Sequence, residues 1–191
     1  KKLLGNGKKF NINLKYKIQY KPDGVASAYL LAEKFLNKSP SVLILGDNIF
    51  YGSNLDKQFK KCYNSERSSI LTYEVTNPSA YGVLFKKKNK FIIIEKPKKK
   101  LSNSAIVGIY FLDELAPNRV KKLKFSKRNE LEITDLNNIY LKEKKIDIVK
   151  LDRGTAWLDT GSFEGLLNAS NFVRTLEVRQ GIDIAPLDVK K

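Results

Sequence analysis

Apolar and polar residues along this chain alternate with two periods, one typical of β-strands and one typical of α-helices. Period-two alternation and short apolar runs predict strands over residues 14–19, 42–45, 69–75, 83–85, 91–95, 105–111, 146–151 and 155–158. Spacings of three and four residues predict helices over residues 25–36, 55–62, 114–122, 134–144 and 163–179. The first strands and helices alternate as crossover units do, whereas the middle contains a hairpin. We therefore expect an α/β fold with a parallel or mixed sheet.

Two isolated aspartates each follow an apolar strand pattern. Asp47 lies in LGDNIFYG, after the apolar run 42–45 and one glycine, and Asp159 lies in WLDTG. Ligands of open sheets bind beyond the carboxyl ends of strands, and carboxylate oxygens suit a Mg²⁺ ion that holds phosphates. The pair therefore favours a metal-dependent phosphoryl or nucleotidyl transfer site. The structural alternatives are an Asx turn at Asp47 and a helix cap at Asp159.

The net charge is +16, from 36 basic and 20 acidic residues, and a charge of this size is found in many nucleic-acid-binding proteins. Only six of the basic residues are arginine, the side chain best suited to bidentate phosphate and guanine contacts. Lysine runs at 86–88 and 98–100 flank turn residues, where solvated hairpin tips are the simpler interpretation. We therefore expect no nucleic-acid partner. A basic anion- or nucleic-acid-binding module stays open as an alternative of a different class.

Cysteine content and hydropathy point to an ordinary intracellular protein. Cys62 is the one cysteine, so an internal disulfide is excluded, and no apolar run approaches the length of a membrane span. No signal pattern is present either, and these features together predict a cytoplasmic protein with no membrane partner. The sequence contains no methionine and opens on KKLLG, which is typical of a helix end. We therefore expect the natural protein to begin further upstream.

Two single residues and two residue pairs carry side chains or backbone groups suited to binding a nucleotide or a sugar. Gln19 precedes a Pro-Asp-Gly turn and can donate to and accept from a pyrimidine edge, and Gly24 opens the next helix where free N–H groups permit close contact. The pair 81–82 (Tyr-Gly) suits a sugar pocket, and the pair 95–96 (Glu-Lys) could hold sugar hydroxyls and a phosphate. The structural alternatives are a half-exposed polar residue, a turn glycine, hairpin packing and a surface ion pair.

In their order, these motifs resemble those of the glucose-1-phosphate thymidylyltransferase family. The matching segments extend from Leu3 to Gly181 and are LGDNIFYG (45–52), NPSAYGV (77–83), IIEKPKKKLSNSAIVGIYFLD (93–113), NELEITDLNNIYL (129–141) and GTAWLDTGSFEGLLNASNFVRTLEVRQG (154–181). The resemblance implies a Rossmann-like, mixed and mostly parallel sheet that lacks its amino-terminal strand and glycine-rich loop. Residues 1–181 would then form one partial nucleotidyltransferase domain, followed by a basic tail at 182–191.

The resemblance also implies roles for individual residues of this chain. Asp47 and Asp159 would hold a catalytic Mg²⁺ against the nucleotide phosphates, and Gln19 and Gly24 would contact the thymine. The sugar and sugar-phosphate pocket would be formed by Asn48, Tyr81, Gly82, Glu95, Lys96, Val107, Tyr110 and Trp157. The implied substrates are dTTP and glucose 1-phosphate, the product is dTDP-glucose, a precursor of deoxysugars such as rhamnose, and the parent protein would be a homo-oligomer.

One departure from the family pattern bears on activity. The family's G-G-x-G-T-R-L loop and the lysine of its K-Q-x-x-P segment, which grip the triphosphate, occur nowhere in the 191 residues. We therefore expect this chain to be inactive on its own. The segment 24–28 reads GVASA where the family has GLAQA, so a uridylyl-type sugar-phosphate nucleotidyltransferase stays open as an alternative within the enzyme class.

Overall fold

The structure is a computed structural model and describes residues 2–184. Eight strands are present: β1 (Ser41–Ile44), β2 (Asn48–Tyr51), β3 (Ser68–Glu74), β4 (Gly82–Lys87), β5 (Lys90–Glu95), β6 (Ser104–Leu112), β7 (Ile146–Lys150) and β8 (Ala156–Asp159). The α-helices are α1 (Ser27–Leu36), α2 (Leu55–Tyr63), α3 (Ala116–Val120), α4 (Ile133–Lys142) and α5 (Phe163–Gln180). The α/β class is confirmed, and the predicted helices all form. Most of the predicted basic tail, residues 185–191, lies outside the described residues.

The large sheet is organised around β6, the longest strand. β3 pairs antiparallel with one edge of β6, while β4 and β1 share its other edge, β4 at Ala105 and β1 from Ile109 to Leu112. β5 extends the sheet as a hairpin with β4, and β7 pairs with β3. Only the β3–β7 pair is parallel in the part of the chain that the structure describes. The expectation of a mixed sheet is confirmed, but "mostly parallel" is wrong: β1 and β3 run in the same direction as crossover strands should, yet β6 lies between them.

A second, two-stranded sheet carries the site. β2 pairs antiparallel with β8, so that Asn48 lies opposite Asp159 and Phe50 opposite Trp157. The sequence pattern predicts β8 but not β2 (Asn48–Tyr51), which makes its pairing with a strand more than 100 residues away in the chain. Its pairing brings the two predicted strand-end motifs together at one place.

The predicted strand over residues 14–19 is wrong. This segment makes no sheet pairing, and its apolar side chains stay in solvent, with Tyr16 and Ile18 exposed by 45% and 65%. Alternation predicts a strand only when a neighbouring strand supplies hydrogen-bond partners, and no described strand runs beside this segment.

Alternate residues of β6 pack into two different hydrophobic core clusters. Ile106, Tyr110 and Leu112 belong to a cluster with residues of α1 and α4, whereas Val107 and Ile109 belong to a second cluster with residues of α2 and with Trp157. Successive strand side chains point to opposite faces of a sheet, so the two clusters lie on opposite sides of it. In the described residues, no helix has the length and apolar character needed to cross a membrane.

Gly24 is fixed in the fold by a close backbone approach. Its φ is +102°, and a Cβ atom there would lie 2.6 Å from the Leu131 nitrogen. The two segments are joined by backbone hydrogen bonds from Leu131 N to Asp23 O (2.7 Å) and from Ala26 N to Leu131 O (3.2 Å). The fold by itself therefore requires a glycine at this position, and the nucleotide contact predicted for Gly24 would be an additional role.

We expect Gly24→Ala to lower the free energy of unfolding by roughly 2–4 kcal/mol, because backbone strain and overpacking act together. Gly154→Ala is the matched control. Gly154 also has a positive φ, +88°, but no atom lies within 4 Å of the Cβ position, so this variant should lose only about 1 kcal/mol from strain. Urea unfolding of the two variants checks the difference, and equal losses would show that the contact with Leu131 contributes nothing.

Candidate functional site

A cavity of about 270 Å³ opens between the small sheet, the middle of β6, the β4–β5 hairpin and the start of α4. Eight of the predicted site residues line it: Asn48, Tyr81, Gly82, Glu95, Lys96, Tyr110, Trp157 and Asp159. Most of the residues predicted for a sugar pocket, drawn from five separate segments, therefore meet around one cavity.

The two predicted metal ligands lie beside each other at its rim. A Cβ atom placed on Gly161 would be 3.0 Å from Asp159 Oδ1 and 3.3 Å from Asp47 Oδ2, so both carboxylates border the space that this glycine leaves open. Thr160 ties the two strand ends together, since its N–H and its hydroxyl both donate to the Asp47 carbonyl oxygen (2.8 and 2.9 Å).

The two carboxylates fit a Mg²⁺ ion that takes its other ligands from elsewhere. Among the described residues there is no group of three or more histidine, cysteine, aspartate or glutamate side chains that could hold a metal ion. Mg²⁺ is commonly held by one or two carboxylates together with substrate phosphates and water. Asp47 and Asp159 would therefore be an ion's protein ligands, and bound phosphates would complete its coordination.

Asn48 connects the predicted metal ligand Asp47 to the cavity-lining Trp157. Its amide nitrogen donates to Asp47 Oδ1 (2.8 Å), and its amide oxygen accepts from Trp157 Nε1 (2.6 Å) and from Gly108 N (3.0 Å). The nitrogen and the oxygen of this side-chain amide are thus both hydrogen-bonded to protein atoms. Asn48 lines the cavity as predicted, and these bonds indicate that it orients Asp47 and Trp157.

Val107, predicted as a sugar-pocket residue, does not line the cavity with its side chain. It is fully buried in the core cluster on the far face of β6. The lining residues of this strand are Ile106, Gly108 and Tyr110, which share one face because side chains alternate along a strand. With Tyr110 in the predicted set, the same alternation selects Ile106 and Gly108 and excludes Val107.

The hairpin end of the cavity presents Glu95 in a fixed orientation. Its Oε2 accepts from Thr134 Oγ1 (2.6 Å), and a Cβ atom on Gly82 would lie 3.0 Å from that hydroxyl and 3.3 Å from the same carboxylate oxygen. Lys96 has a φ of +42°, and its N–H donates to the Tyr81 carbonyl oxygen (2.9 Å). Glu95 and Lys96 therefore both line the cavity, one with a carboxylate suited to sugar hydroxyls and the other with an ammonium group suited to phosphate.

An aromatic pair forms another wall. The Tyr81 and Trp157 rings have centroids 4.9 Å apart. Burial raises the pKa of Tyr81, and the negative charge of Asp159 raises it further. Tyr110 is buried as well, and its pKa is raised by that burial and by the charges of Glu95 and Asp47. Both phenols are therefore neutral near pH 7 and act as hydrogen-bonding surfaces for a ligand.

The segment 128–137 supplies cavity residues to which the sequence analysis assigned no role, although residues 129–141 were quoted as a motif. Its lining members are Arg128, Glu130, Glu132, Ile133, Thr134 and Asn137. Arg128 pairs with Glu132 (2.8 Å) and Glu130 (2.9 Å) and lies 3.8 Å from Glu95. Burial acts to raise the pKa of Glu132, but hydrogen bonds from Arg128 and Ser126 outweigh it and hold the pKa below the usual value of 4.5.

The two residues predicted to contact the base lie together next to the cavity. Gln19 Nε2 donates to Asp23 Oδ1 (2.5 Å) and Ser27 Oγ (2.8 Å), and it lies 3.4 Å from the Gly24 carbonyl oxygen. Val25, the residue after Gly24, lines the cavity. This cluster therefore adjoins the cavity through Val25.

Comparison with known proteins places this geometry in a family. The model of the nucleotidyl transferase family matches residues 1–175. Glucose-1-phosphate thymidylyltransferase of Mycolicibacterium smegmatis is 43% identical over 192 residues, covering 99% of this chain and 67% of its own length. The Neisseria meningitidis protein of the same name is 40% identical, covering 98% of this chain and 66% of its own length. The chain thus spans about two thirds of the length of such relatives.

Solved structures agree in fold. A Bacillus anthracis protein described as a candidate glucose-1-phosphate thymidylyltransferase, in complex with sucrose, superposes with a TM-score of 0.81 at 33% identity, covering 97% of this chain and 73% of its own. A UDP-glucose pyrophosphorylase complexed with UDP-glucose gives 0.74 at 26% identity, covering 84% and 66%. The chain therefore belongs to the nucleotidyl transferase family, and its curated relatives are glucose-1-phosphate thymidylyltransferases.

Proposed function

We propose that this chain provides the metal and sugar part of a Mg²⁺-dependent enzyme that transfers a thymidylyl group from dTTP to glucose 1-phosphate, giving dTDP-glucose and pyrophosphate. The observation that carries the proposal is the position of the Asp47 and Asp159 carboxylates, side by side at Gly161 and at the rim of a cavity lined by Glu95 and Trp157. The names of relatives support the same reaction, and this chain spans about two thirds of their length.

In this proposal each polar group of the cavity has a task in binding. Asp47 and Asp159 would hold Mg²⁺, which when bound offsets the negative charge of the nucleotide phosphates. Glu95, oriented by Thr134, accepts hydrogen bonds from glucose hydroxyls, and Lys96 lies beside it to meet the sugar phosphate. The Tyr81–Trp157 wall packs against the hexose ring, and Gln19 and Gly24 contact the base.

Chemistry in such a site depends on positioning and charge. A phosphate oxygen of glucose 1-phosphate attacks the α-phosphorus of dTTP in line, a new P–O bond forms, and the bond to pyrophosphate breaks. The attacking oxygen is already anionic, so the reaction needs no general base. This suits a chain that contains no histidine. The absence of a G-G-x-G-T-R-L loop from the 191 residues leads us to propose that this chain binds the product and does not turn over.

The single tryptophan of the chain offers a direct test. Trp157 stands in the cavity wall, so a sugar nucleotide that binds there should change its fluorescence. We expect saturable changes with dTDP-glucose in the presence of Mg²⁺, and weaker binding of UDP-glucose. Preference for UDP-glucose would favour the uridylyl-type alternative instead, and no change with either ligand would count against the proposed function.

Salt separates this proposal from the nucleic-acid alternative that the +16 charge raises. Binding of a polyanion through lysine contacts weakens steeply with added salt, because counterions are released on binding. Binding of dTDP-glucose should depend on Mg²⁺ and change far less between low and high KCl. Tight, strongly salt-dependent binding of oligonucleotides that needs no Mg²⁺ would favour the alternative.

We also propose a cytoplasmic location and a homo-oligomeric parent protein. Cys62 is buried, and burial raises the pKa of its thiol, which keeps it protonated and unreactive at neutral pH. This suits a reducing compartment. The assembly rests on the family resemblance alone, and size-exclusion chromatography with light scattering tests it.

A further inference from the structure

Asn137 is a buried amide whose hydrogen-bonding groups are both unused. Its side chain is 1% exposed, and neither Nδ2 nor Oδ1 has a hydrogen-bond partner among the described residues. Buried polar side chains nearly always have partners, because an unpaired amide costs folding free energy. Such a residue calls for a molecule that supplies the missing partners.

The adjacent asparagine shows what a structural amide looks like on the same helix. Asn138 donates from Nδ2 to the Ile93 carbonyl oxygen (2.8 Å) and accepts at Oδ1 from the Ile93 N–H (3.0 Å). Both of its groups therefore join α4 to β5. Asn137 makes no comparable bond, so the fold does not explain the choice of asparagine there.

The position of Asn137 connects it with the sugar end of the cavity. It is one of the lining residues and lies one helical turn after Thr134, whose hydroxyl orients Glu95. Tyr110 and Ile106 line the same cavity from β6. Asn137 is thus part of the wall of the cavity that Glu95 also lines.

We propose that Asn137 is a further substrate-binding residue, whose amide takes two adjacent hydroxyls of the hexose in this cavity. The inference rests on the proposed function and deepens it. A side-chain amide offers one acceptor and two donors, and neighbouring hydroxyls of a hexose can donate to Oδ1 and accept from Nδ2 together. A phosphate only accepts and would leave Oδ1 unpaired, which assigns the amide to the sugar.

The test compares Asn137→Leu with Asn138→Leu, each of which replaces an amide with an apolar side chain of similar size. Without ligand, Asn137→Leu should melt at the same temperature as the parent chain or above it, because an unpaired amide is removed. Asn138→Leu should melt lower, because two hydrogen bonds are lost. With Mg²⁺ present, Asn137→Leu should bind dTDP-glucose about tenfold more weakly or worse, and it should bind dTDP, which has no hexose, as the parent does.

Three results decide the outcome. Unchanged affinity of Asn137→Leu for dTDP-glucose would overturn the inference. A fall in melting temperature as large as that of Asn138→Leu would also overturn it, because the amide would then have an internal partner such as an ordered water. A parent chain that binds neither dTDP nor dTDP-glucose would instead contradict the proposed function, and this result is distinct from the other two.

Discussion

Replacing Asp47 with alanine should remove Mg²⁺-dependent binding of dTDP-glucose almost completely. Asp47 Oδ2 and Asp159 Oδ1 border the same open space at Gly161, so one carboxylate alone leaves a bound cation with half of its protein ligands. Loss of a group that merely supports a metal ligand costs 10- to 100-fold in affinity. For a ligand itself we expect a loss of roughly 100-fold or more, measured by calorimetric titration in Mg²⁺.

The control for this variant is Asp152→Ala, which removes an exposed turn carboxylate of the same charge. It should bind as the parent does, since a distant surface charge is screened by salt. Without Mg²⁺, the parent and Asp47→Ala should bind equally weakly. If Asp47→Ala retains the parent's affinity in Mg²⁺ while remaining folded by circular dichroism, the metal role assigned to Asp47 is wrong.

Replacing Gly108 with alanine should disrupt the site by displacing the Asn48 side chain. A Cβ atom at this position would lie 2.6 Å from Asn48 Oδ1 and 2.7 Å from its Cγ, which is too close for the side chain to stay. Asn48 holds both Asp47 and Trp157, so its displacement releases both. We expect a loss of about 1–3 kcal/mol in stability from overpacking and a roughly 10- to 100-fold loss in dTDP-glucose affinity.

A double-mutant cycle with Asn48→Ala isolates this effect. Once the Asn48 side chain is gone, Gly108→Ala has nothing to displace, so the double variant should be no less stable than Asn48→Ala alone. Gly46→Ala is the stability control, because no atom lies within 4 Å of its Cβ position. Additive losses in the cycle would mean that Gly108→Ala acts through another contact.

The sequence predicted what depends on local pattern. Asp47 and Asp159 follow apolar strands, and the structure brings their carboxylates to the same open space at Gly161, as expected for two strand ends of one site; their metal role stays a prediction. The helices follow from apolar spacing, and they form with shifts of a few residues at their ends. These features need no knowledge of which elements become neighbours.

What the sequence interpretation missed depends on long-range pairing. β2 exists because it pairs with β8, and the hydrogen bond between Asn48 and Trp157 joins residues 109 positions apart. The segment 14–19 has strand alternation but no described strand beside it. The side chain of Val107, a residue predicted for the pocket, lies on the opposite face of β6 from Tyr110.

The same reasoning explains why Arg128, Thr134 and Asn137 were not identified. Thr134 and Asn137 lie in the quoted family motif and Arg128 directly precedes it, but the position of these residues in the cavity depends on the packing of α4 against β5. No local signal marks Asn137 as unpaired, whereas the neighbouring Asn138 is fully bonded. Residues of this kind become visible only when hydrogen-bond partners can be counted.

The most direct test of this account is a calorimetric titration of dTDP-glucose into the 191-residue chain, with Mg²⁺ and with EDTA, after circular dichroism has shown that the chain is folded. We predict saturable binding at one site per chain in Mg²⁺ and little heat in EDTA. A folded chain that gives no binding heat in Mg²⁺, or the same heat in EDTA, would contradict the claim that Asp47, Asp159 and the adjoining cavity form a metal-dependent sugar-nucleotide site.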